Sequence, residues 1–251
     1  RRSSDLQDKY AVEQFQLEDW VSKRLKHDNL MQCYTHNTEK KYLFQCYEYL
    51  QGETLAQWLH RQEKPLKLDD ILPILQQTAL ALNAMHRLEM LHQDIRPKNI
   101  IVLNTESAMK IKLIDYGSTA VRGLVEINPK NANRALGTLA FMAPEYFIDH
   151  SPSVHSDQFS LAVMAYYLLT KQLPYGTDLA RCNSLKQLKK VQYHSIRKYR
   201  PDLPIWLDKI LGQALSIEPT HRFEALSELI HNLTHPSKEL LNSKPPAIIE
   251  R

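Results

Sequence analysis

Apolar residues recur at helical spacing near the start of the chain and then give way to short, aromatic-rich segments. In residues 11–26 the apolar side chains lie roughly three or four positions apart, which predicts an amphipathic helix. The polar residues 27–29 end this pattern. Residues 30–35 and 42–50 are short, contain several aromatic side chains and flank a polar stretch, so they predict a β-hairpin.

The middle of the chain combines helical and strand patterns. A short helix is predicted at residues 54–60 and a long helix at residues 69–90, where apolar positions follow one face. Two short strands are predicted at about residues 100–103 and 111–114, joined by a turn near Asn104.

The pattern becomes mainly helical in the second half. A long stretch after residue 115 has little periodicity, and such segments inside compact domains are usually functional. A strongly apolar helix, buried on most sides, is predicted at residues 156–170, and two further helices at 204–216 and 222–234. The polar, proline-containing residues 235–251 predict a terminus or linker. Strands that precede helices in this way indicate an α+β protein.

Composition narrows the class of protein. The 251 residues are enough for one large domain or two small ones, and 43% apolar with 24% charged residues is ordinary for a soluble globular protein. A net charge of +4 is too small to indicate nucleic acid or a membrane surface as the partner. Cys33, Cys46 and Cys182 have neither metal-site nor disulfide spacing, and no apolar run is long enough to span a membrane. A cytoplasmic location is therefore expected.

A dense group of polar residues, "HQDIRPKN" at 92–99, lies between two apolar segments. On its own this segment fits a solvated turn between a helix and a strand, but loops on a rigid scaffold also carry catalytic groups. Three further motifs follow in order: "DYG" at 115–117, "GTLAFMAPE" at 137–145 and "SDQFSLAV" at 156–163. The four motifs together favour the catalytic interpretation.

The order and spacing of these motifs resemble those of the eukaryotic-like protein kinases. In that family a His-Arg-Asp loop is followed by an asparagine, then by Asp-Phe-Gly and by Ala-Pro-Glu. The resemblance extends from about residue 11 to about residue 234. It implies an α+β, protein-kinase-like two-lobe fold: a partial small lobe at 1–50 without its N-terminal strands, a mainly helical large lobe at 51–235 and a tail or linker at 236–251.

The resemblance implies the residues that carry phosphoryl transfer from ATP. Asp94 would orient the substrate hydroxyl and accept its proton, and Arg96, where the family usually has lysine, would reach the transferred phosphate. Asn99 and Asp115 would be oxygen ligands of the Mg²⁺ or Mn²⁺ ion that holds the ATP phosphates. Thr138 would form a hydrogen bond with the catalytic Asp94.

The same resemblance implies how the rest of the nucleotide is bound. Glu18 is expected to be the glutamate of the first helix that faces the nucleotide site. Tyr47 would be the gatekeeper in the segment "YEYLQGETL". Glu48 and Leu50 would bind adenine through their backbone groups, and Ile101 would form the apolar floor under the ring.

Two structural contacts and a substrate class are also implied. Asp157 would hold the catalytic loop from its own helix, and Glu145 and Arg222 would form a buried ion pair. The segment "GTLAFMAPE" resembles the Ser/Thr form, because tyrosine kinases usually carry a proline where residues 139–141 lie here. The expected substrate is therefore a protein with a Ser or Thr hydroxyl.

A closer match is to the kinase half of the bacterial bifunctional serine/threonine kinase/phosphatases. The segments "FQLEDWVSKRL", "RLEMLHQDIRPKNI", "YGS" and "LPYGTDLAR" carry it, and Gln93 agrees with the His-Gln-Asp loop of that family. This match implies a phosphatase domain in the same parent chain and often a membrane segment that anchors the parent. Neither is in the present sequence.

Two parts of the kinase pattern are not found upstream of the first helix. In the family, the Gly-rich loop and the lysine that holds the ATP phosphates precede the first helix. Here no glycine occurs before Gly52, and the lysine should fall at or just before residue 1. The first residue is not Met. The chain is therefore expected to be a fragment that is a poor kinase alone.

Two other functions compete with an active protein kinase. A pseudokinase would use the fold as a binding or scaffold module, but it has no need of Asp94, Asn99 and Asp115 together. A small-molecule phosphotransferase shares the His-x-Asp loop, but "GTLAFMAPE" indicates the peptide-binding segment of the protein kinases. The protein kinase function is therefore favoured.

Overall fold

The structure, a computed structural model, describes residues 9–35, 43–105, 108–122, 139–148 and 151–242. The strands in these ranges form one three-stranded and two two-stranded antiparallel sheets. The longest helices other than the first follow the hairpin. No helix among these residues has the length and apolar character needed to cross a membrane.

Helix α1 (Lys9–Arg24) confirms the first predicted element. The chain that leaves it turns inward at the buried Leu25 and pairs in parallel with a later strand. Leu113 donates its N–H to the Asn29 carbonyl at 2.8 Å, and Met31 donates to the Leu113 carbonyl at 3.0 Å. These two hydrogen bonds fix the segment after α1 to the centre of the molecule.

The predicted hairpin is present, with strands shorter than the pattern indicated. Strands β1 (Cys33–Tyr34) and β2 (Cys46–Tyr47) pair antiparallel. Strand β3 (Gly52–Thr54) follows, and helix α2 (Leu55–His60) begins directly after it, capped by the Thr54 hydroxyl. The sequence pattern did not predict β3, because a segment of three residues is too short to show a period.

A three-stranded sheet lies under this region, in the order β3, β5 (Ile100–Leu103) and β6 (Lys110–Leu113). Both β5 and β6 agree with prediction. Gly52 is required where β3 pairs with β5, because a Cβ at this position would lie only 2.2 Å from the Val102 carbonyl oxygen. The missing side chain therefore lets β3 approach β5 closely.

Helix α3 (Leu68–His86) ends four residues before the predicted boundary. Glu89 has a left-handed backbone, with φ of 56°, and the chain then enters the short strand β4 (Met90–Leu91). This strand pairs with β7 (Ala120–Val121). The apolar run at its end was assigned to the helix because a short strand cannot be told from a helical turn by periodicity alone.

The remaining helices are α4 (Val154–Thr170), α5 (Leu185–Leu188), α6 (Ile205–Ala214), α7 (Leu226–Thr234) and α8 (Lys238–Leu241). Nearly every residue of α4 is buried, as predicted. The α7 helix begins later than predicted because the backbone just before it is extended. The tail contains the single turn α8, and its residues after 242 lie outside the described ranges.

A buried ion pair joins the turn Pro144–Phe147 to the segment before α7. Arg222 donates two hydrogen bonds to Glu145, at 2.9 Å and 2.8 Å. The guanidinium also donates to the carbonyls of Ser216, His155 and Ile217, and the Ser156 hydroxyl donates to Glu145. The predicted ion pair is therefore confirmed. Hydrogen bonds compensate both the Glu145 carboxylate and the Arg222 guanidinium.

Removal of one partner should leave the other charge buried and uncompensated. Arg222→Ala should lower the free energy of unfolding by about 3–5 kcal/mol, measured by urea denaturation. The matched control is Arg122→Ala, since Arg122 pairs with Glu89 at 3.2 Å on the exposed surface. That control should shift stability by no more than about 0.5 kcal/mol. Equal shifts in the two variants would contradict the structural role of the buried pair.

The same pair predicts a pH dependence. Burial alone would raise the pKa of Glu145, but the hydrogen bonds and charge of Arg222 lower it below its ordinary value. A lowered pKa in the folded state adds stability above the unfolded pKa, and this stability is lost as the pH falls through the folded value. Stability should therefore decline in acid below about pH 4, and less steeply in Arg222→Ala.

Candidate active site

A buried carboxylate of α4 fixes the loop between β4 and β5. Asp157, fully buried in α4, accepts hydrogen bonds from the N–H groups of His92 at 3.0 Å and Gln93 at 2.9 Å. His86, at the end of α3, lies 2.9 Å from the same carboxylate. The predicted contact between Asp157 and this loop is therefore present. It fixes the loop backbone just before Asp94.

Electrostatics favour a charged Asp157. Burial would raise its pKa, but hydrogen bonding to His86 and to the Gln93 N–H lowers the pKa below its ordinary value. The pKa of His92 is lowered as well, here by burial, which favours the neutral form of its ring. Its Nδ1 atom lies 3.3 Å from the Asp94 N–H, as expected of a neutral ring that accepts a hydrogen bond.

Asp94 and Asn99 lie in direct contact. The Asn99 amide donates to the Asp94 carbonyl at 2.8 Å and to its Oδ2 atom at 2.7 Å, so the carboxylate is held in one orientation. The Arg96 Nε atom lies 3.2 Å from the same oxygen. The side chains of Asp94 and Asn99 are buried, whereas that of Arg96 is half-buried. Three of the predicted catalytic residues are thus brought together.

A backbone hydrogen bond brings Asp115 next to this group of residues. The Ile114 N–H donates to the Asn99 carbonyl at 2.9 Å, so the residue after it begins next to Asn99. Asp115 is exposed and has a left-handed backbone, with φ of 68°. A Cβ on Gly117 would lie 3.2 Å from Glu18 Oε2, so this turn packs closely against the Glu18 side chain.

The two predicted metal ligands have the right chemistry for a hard cation. Asn99 uses its amide nitrogen on Asp94, which leaves its amide oxygen directed elsewhere, and Asp115 offers a carboxylate. Oxygen donors of this kind, completed by phosphate and water, suit Mg²⁺. No cluster of three or more His, Cys, Asp or Glu side chains suited to a metal occurs within the described ranges.

The predicted adenine contacts border the three-stranded sheet. Glu48 follows β2, and its carboxylate accepts from Lys112 at 2.6 Å and from the Gln32 N–H at 2.7 Å. Lys112 is paired with Ile101 across β5 and β6, so both side chains lie on one face of the sheet. Leu50 is half-buried between Glu48 and β3. The segment after β2 and the proposed floor residue are therefore neighbours.

Glu18 lies inside the site, on the face of α1 that points toward Asp115. Its Oε1 atom is 3.4 Å from the Tyr47 hydroxyl, and its Oε2 atom closely approaches Gly117. Glu18 thus lies between the gatekeeper position and the turn that carries Asp115. The expectation that Glu18 faces a nucleotide stays a prediction, and its contact with Gly117 needed the tertiary structure.

Thr138 lies outside the described residues, but the segment after it has a defined position. Leu139 and Ala140 line a small apolar cleft with Val163 of α4 and with Tyr175 and Leu179 of the following segment. This cleft opens beside the part of the chain that was predicted to bind a peptide.

Sequence reasoning missed several residues of the site. The Tyr116 hydroxyl donates toward the carbonyls of Met31 at 3.0 Å and Leu113 at 3.2 Å, and its ring packs edge-on against His92. The Gln14 amide donates to the Gly117 carbonyl at 3.0 Å. A tyrosine where the family motif has phenylalanine was the available signal for the first contact, and nothing in the local pattern marked Gln14.

Gln93 is buried, with 2% exposure and a left-handed φ of 65°. Neither polar atom of its side-chain amide has a hydrogen-bond partner in the part of the chain that the structure describes. The position therefore offers no cation, only a neutral amide, next to Asp94.

Comparison with known proteins identifies the family. The model of the protein kinase domain family matches residues 2–234, so the chain belongs to that family. The predicted family and fold class are confirmed. For this family, ATP and a divalent metal are the general cofactors.

The curated relatives are bacterial. Probable serine/threonine-protein kinase PknB of Lactococcus lactis subsp. lactis is 25% identical over 91% of this chain and 35% of its own length. Serine/threonine-protein kinase PrkC of Bacillus subtilis is 25% identical, with 88% of this chain and 33% of its length covered. For serine/threonine-protein kinase pkn3 of Myxococcus xanthus the values are 30%, 88% and 41%. The chain thus spans less than half the length of these relatives.

Solved structures support the same fold. The crystal structure of the PknI kinase domain of Mycobacterium tuberculosis superposes with a TM-score of 0.68 at 23% identity, covering 92% of this chain and 81% of that one. At this identity the likeness concerns the fold alone. The helices and small sheets described above thus have the arrangement of a protein kinase domain.

The contact from Asp157 to the loop can be tested directly. Asp157→Asn loses one carboxylate acceptor, so hydrogen exchange at the His92 and Gln93 amides should accelerate and stability should fall by about 1–3 kcal/mol. The matched control is Asp208→Asn, since Asp208 of α6 accepts from Tyr193, Ser195 and the Ile196 N–H. The control should lose similar stability but leave exchange at residues 92–93 unchanged. Unchanged exchange there in Asp157→Asn would contradict the proposed contact.

Proposed function

We propose that this chain is a serine/threonine protein kinase domain that transfers the γ-phosphate of ATP to protein hydroxyls. The observation that carries the proposal is the grouping of Asp94, Asn99 and Asp115 on one fixed loop and the adjacent turn. The family match and the printed names of the curated relatives support the same activity.

In this proposal Asp94 orients the attacking hydroxyl and takes up its proton. The Asn99 amide fixes the carboxylate, so little reorganisation is needed when substrate binds. Arg96 lies close enough to Asp94 to neutralise charge on the transferred phosphoryl group. Its planar guanidinium can donate two parallel hydrogen bonds, which a lysine cannot. Thr138 is proposed to bond Asp94 from the segment before Ala-Pro-Glu.

Asn99 and Asp115 are the proposed ligands of Mg²⁺ or Mn²⁺. The bound ion would neutralise the phosphate charges of ATP. Glu48 and Leu50 are proposed to bind adenine through backbone groups, above the apolar floor at Ile101. Glu18 is proposed to act from α1 by pairing with the lysine that holds the ATP phosphates in this family, and its approach to Gly117 agrees with a position beside the turn that carries Asp115.

The substrate is proposed to be a protein segment with a Ser or Thr hydroxyl, which would run past the cleft beside Leu139 and Ala140. A phosphatase domain in the same parent chain, a cytoplasmic location and unit boundaries at residues 50 and 235 remain proposals that rest on the sequence. The alternative of a pseudokinase receives no support from the comparisons, whose curated relatives are named as kinases.

The two carboxylates should fail in different ways, and both tests use the natural full-length protein. Asp94→Asn should lower kcat by orders of magnitude with nucleotide affinity nearly unchanged, because only the acceptor of the hydroxyl proton is lost. Asp115→Ala should weaken binding of Mg²⁺-ATP itself, measured by calorimetry. The exposed Asp69 of α3 provides a control, and Asp69→Asn should change neither quantity. Normal turnover in both site variants would exclude the proposed kinase mechanism.

Activity should not require phosphorylation of the activation segment, the part of the chain between the DYG motif at 115–117 and Glu145. A neutral amide at Gln93 cannot pair with a phosphate as an arginine does. The purified full-length kinase should therefore retain its rate after treatment with a phosphatase, as measured by transfer of labelled phosphate to a Ser/Thr substrate. A large loss of rate that returns after rephosphorylation would contradict this expectation.

A further inference from the structure

The Tyr116 side chain makes a polar contact that phenylalanine could not make. The residue is 1% exposed, and its hydroxyl lies 3.0 Å from the Met31 carbonyl and 3.2 Å from the Leu113 carbonyl. Met31 belongs to the segment after α1, and Leu113 ends β6. A phenol has one proton to donate, so the two carbonyls share it. The hydroxyl thus lies at the junction of these two segments.

This contact lies directly after a residue in an unusual backbone conformation. Asp115 has a φ of 68°, and a non-glycine residue is held in the left-handed region only when its surroundings determine it. The Tyr116 hydroxyl bond restrains the residue that immediately follows Asp115. Its direction therefore restricts the dihedral angles available to the proposed metal ligand.

A second hydrogen bond acts on the other side of the same turn. The Gln14 amide of α1 donates to the Gly117 carbonyl at 3.0 Å. Both residues after Asp115 are thus tied to α1 or to the chain that leaves it. Neither bond involves a formal charge, so neither requires a phosphate or a change of protonation.

We propose that the Tyr116 hydroxyl is a positioning group that holds Asp115 in its ligand-binding conformation, with Gln14 as a second support. The inference deepens the proposed kinase function and rests on it for the role of Asp115. The neighbouring Gln93 offers a neutral amide and no charge that could act on this turn. The turn and α1 are then held together before any modification of the chain.

The decisive variant is Tyr116→Phe, which removes one oxygen and keeps the ring that packs against His92. Tyr166→Phe is the matched control. Tyr166 is fully buried in α4, and its hydroxyl donates to the His194 carbonyl at 2.8 Å. The two variants lose the same kind of hydrogen bond, so a general loss of stability should appear in both. A positioning effect should appear only in the first.

The first measurement is binding of a fluorescent, non-hydrolysable ATP analogue to the full-length protein, with and without Mg²⁺. Tyr116→Phe should weaken binding with Mg²⁺ about three- to tenfold, the range expected for one neutral hydrogen bond. Binding without Mg²⁺ should not change, since Asp115 acts through the ion. Tyr166→Phe should change neither value. Equal effects of the two variants, or an equal loss with and without Mg²⁺, would overturn the inference.

The second measurement does not depend on nucleotide. Hydrogen exchange at residues 115–118 and 29–31 should accelerate in Tyr116→Phe, whereas Tyr166→Phe should accelerate exchange near His194 instead. Gln14→Met should accelerate exchange at Gly117, and the double variant should add little to Tyr116→Phe if both bonds support one turn. Unchanged exchange at residues 115–118 in Tyr116→Phe would contradict the inference.

The two measurements separate this inference from the proposed function. Local exchange that rises as expected in a protein that never binds Mg²⁺-ATP would support the restraint and exclude the kinase function. Normal Mg²⁺-ATP binding together with unchanged exchange in Tyr116→Phe would exclude the restraint and leave the kinase function supported.

Discussion

One buried carboxylate determines the geometry of the whole site. Asp157 lies without solvent contact in α4 and accepts the two backbone N–H groups that precede Asp94. A buried charge is tolerated only where hydrogen bonds compensate it, so the loop and the helix cannot separate without a large cost. The left-handed φ of 65° at Gln93 is held by the same contact. The hydrogen bonds to the buried carboxylate thus offset the strain of the loop backbone.

The rest of the site is connected to this loop by a series of backbone and side-chain hydrogen bonds. Asn99 returns to Asp94 within the loop, and its carbonyl accepts the Ile114 N–H, which brings the next motif alongside. Asp115 follows in a left-handed conformation, and the two residues after it reach α1 and its exit segment. Each step uses one or two hydrogen bonds. The arrangement of the site therefore depends on a connected series of hydrogen bonds that begins at Asp157 and includes both backbone and side-chain groups.

The helical part contains a second buried charge with a different structural purpose. Glu145 and Arg222 join the turn Pro144–Phe147 to the chain before α7, beside the N-terminus of α4. Asp157 is one helical turn beyond this point. The same buried helix thus supports both the catalytic loop and the segment proposed to bind a peptide. A buried pair contributes little net stability compared with apolar packing, so its value here is that it fixes the two segments in register.

The sequence by itself determined the family, the order of the main elements and the residues of local motifs. Asp94, Arg96 and Asn99 lie within one loop, and the resemblance of its motif to the kinase family implied their roles. Long-range contacts were decided only by the tertiary structure. Strand β3 exists because Gly52 lets the chain approach Val102, and α3 ends at His86 because the next residues pair with β7. Gly117 packs close to Glu18, and Gln14 and Tyr116 form hydrogen bonds with groups far away in sequence. A pattern records local preference, whereas these contacts depend on which distant backbone arrives beside a residue.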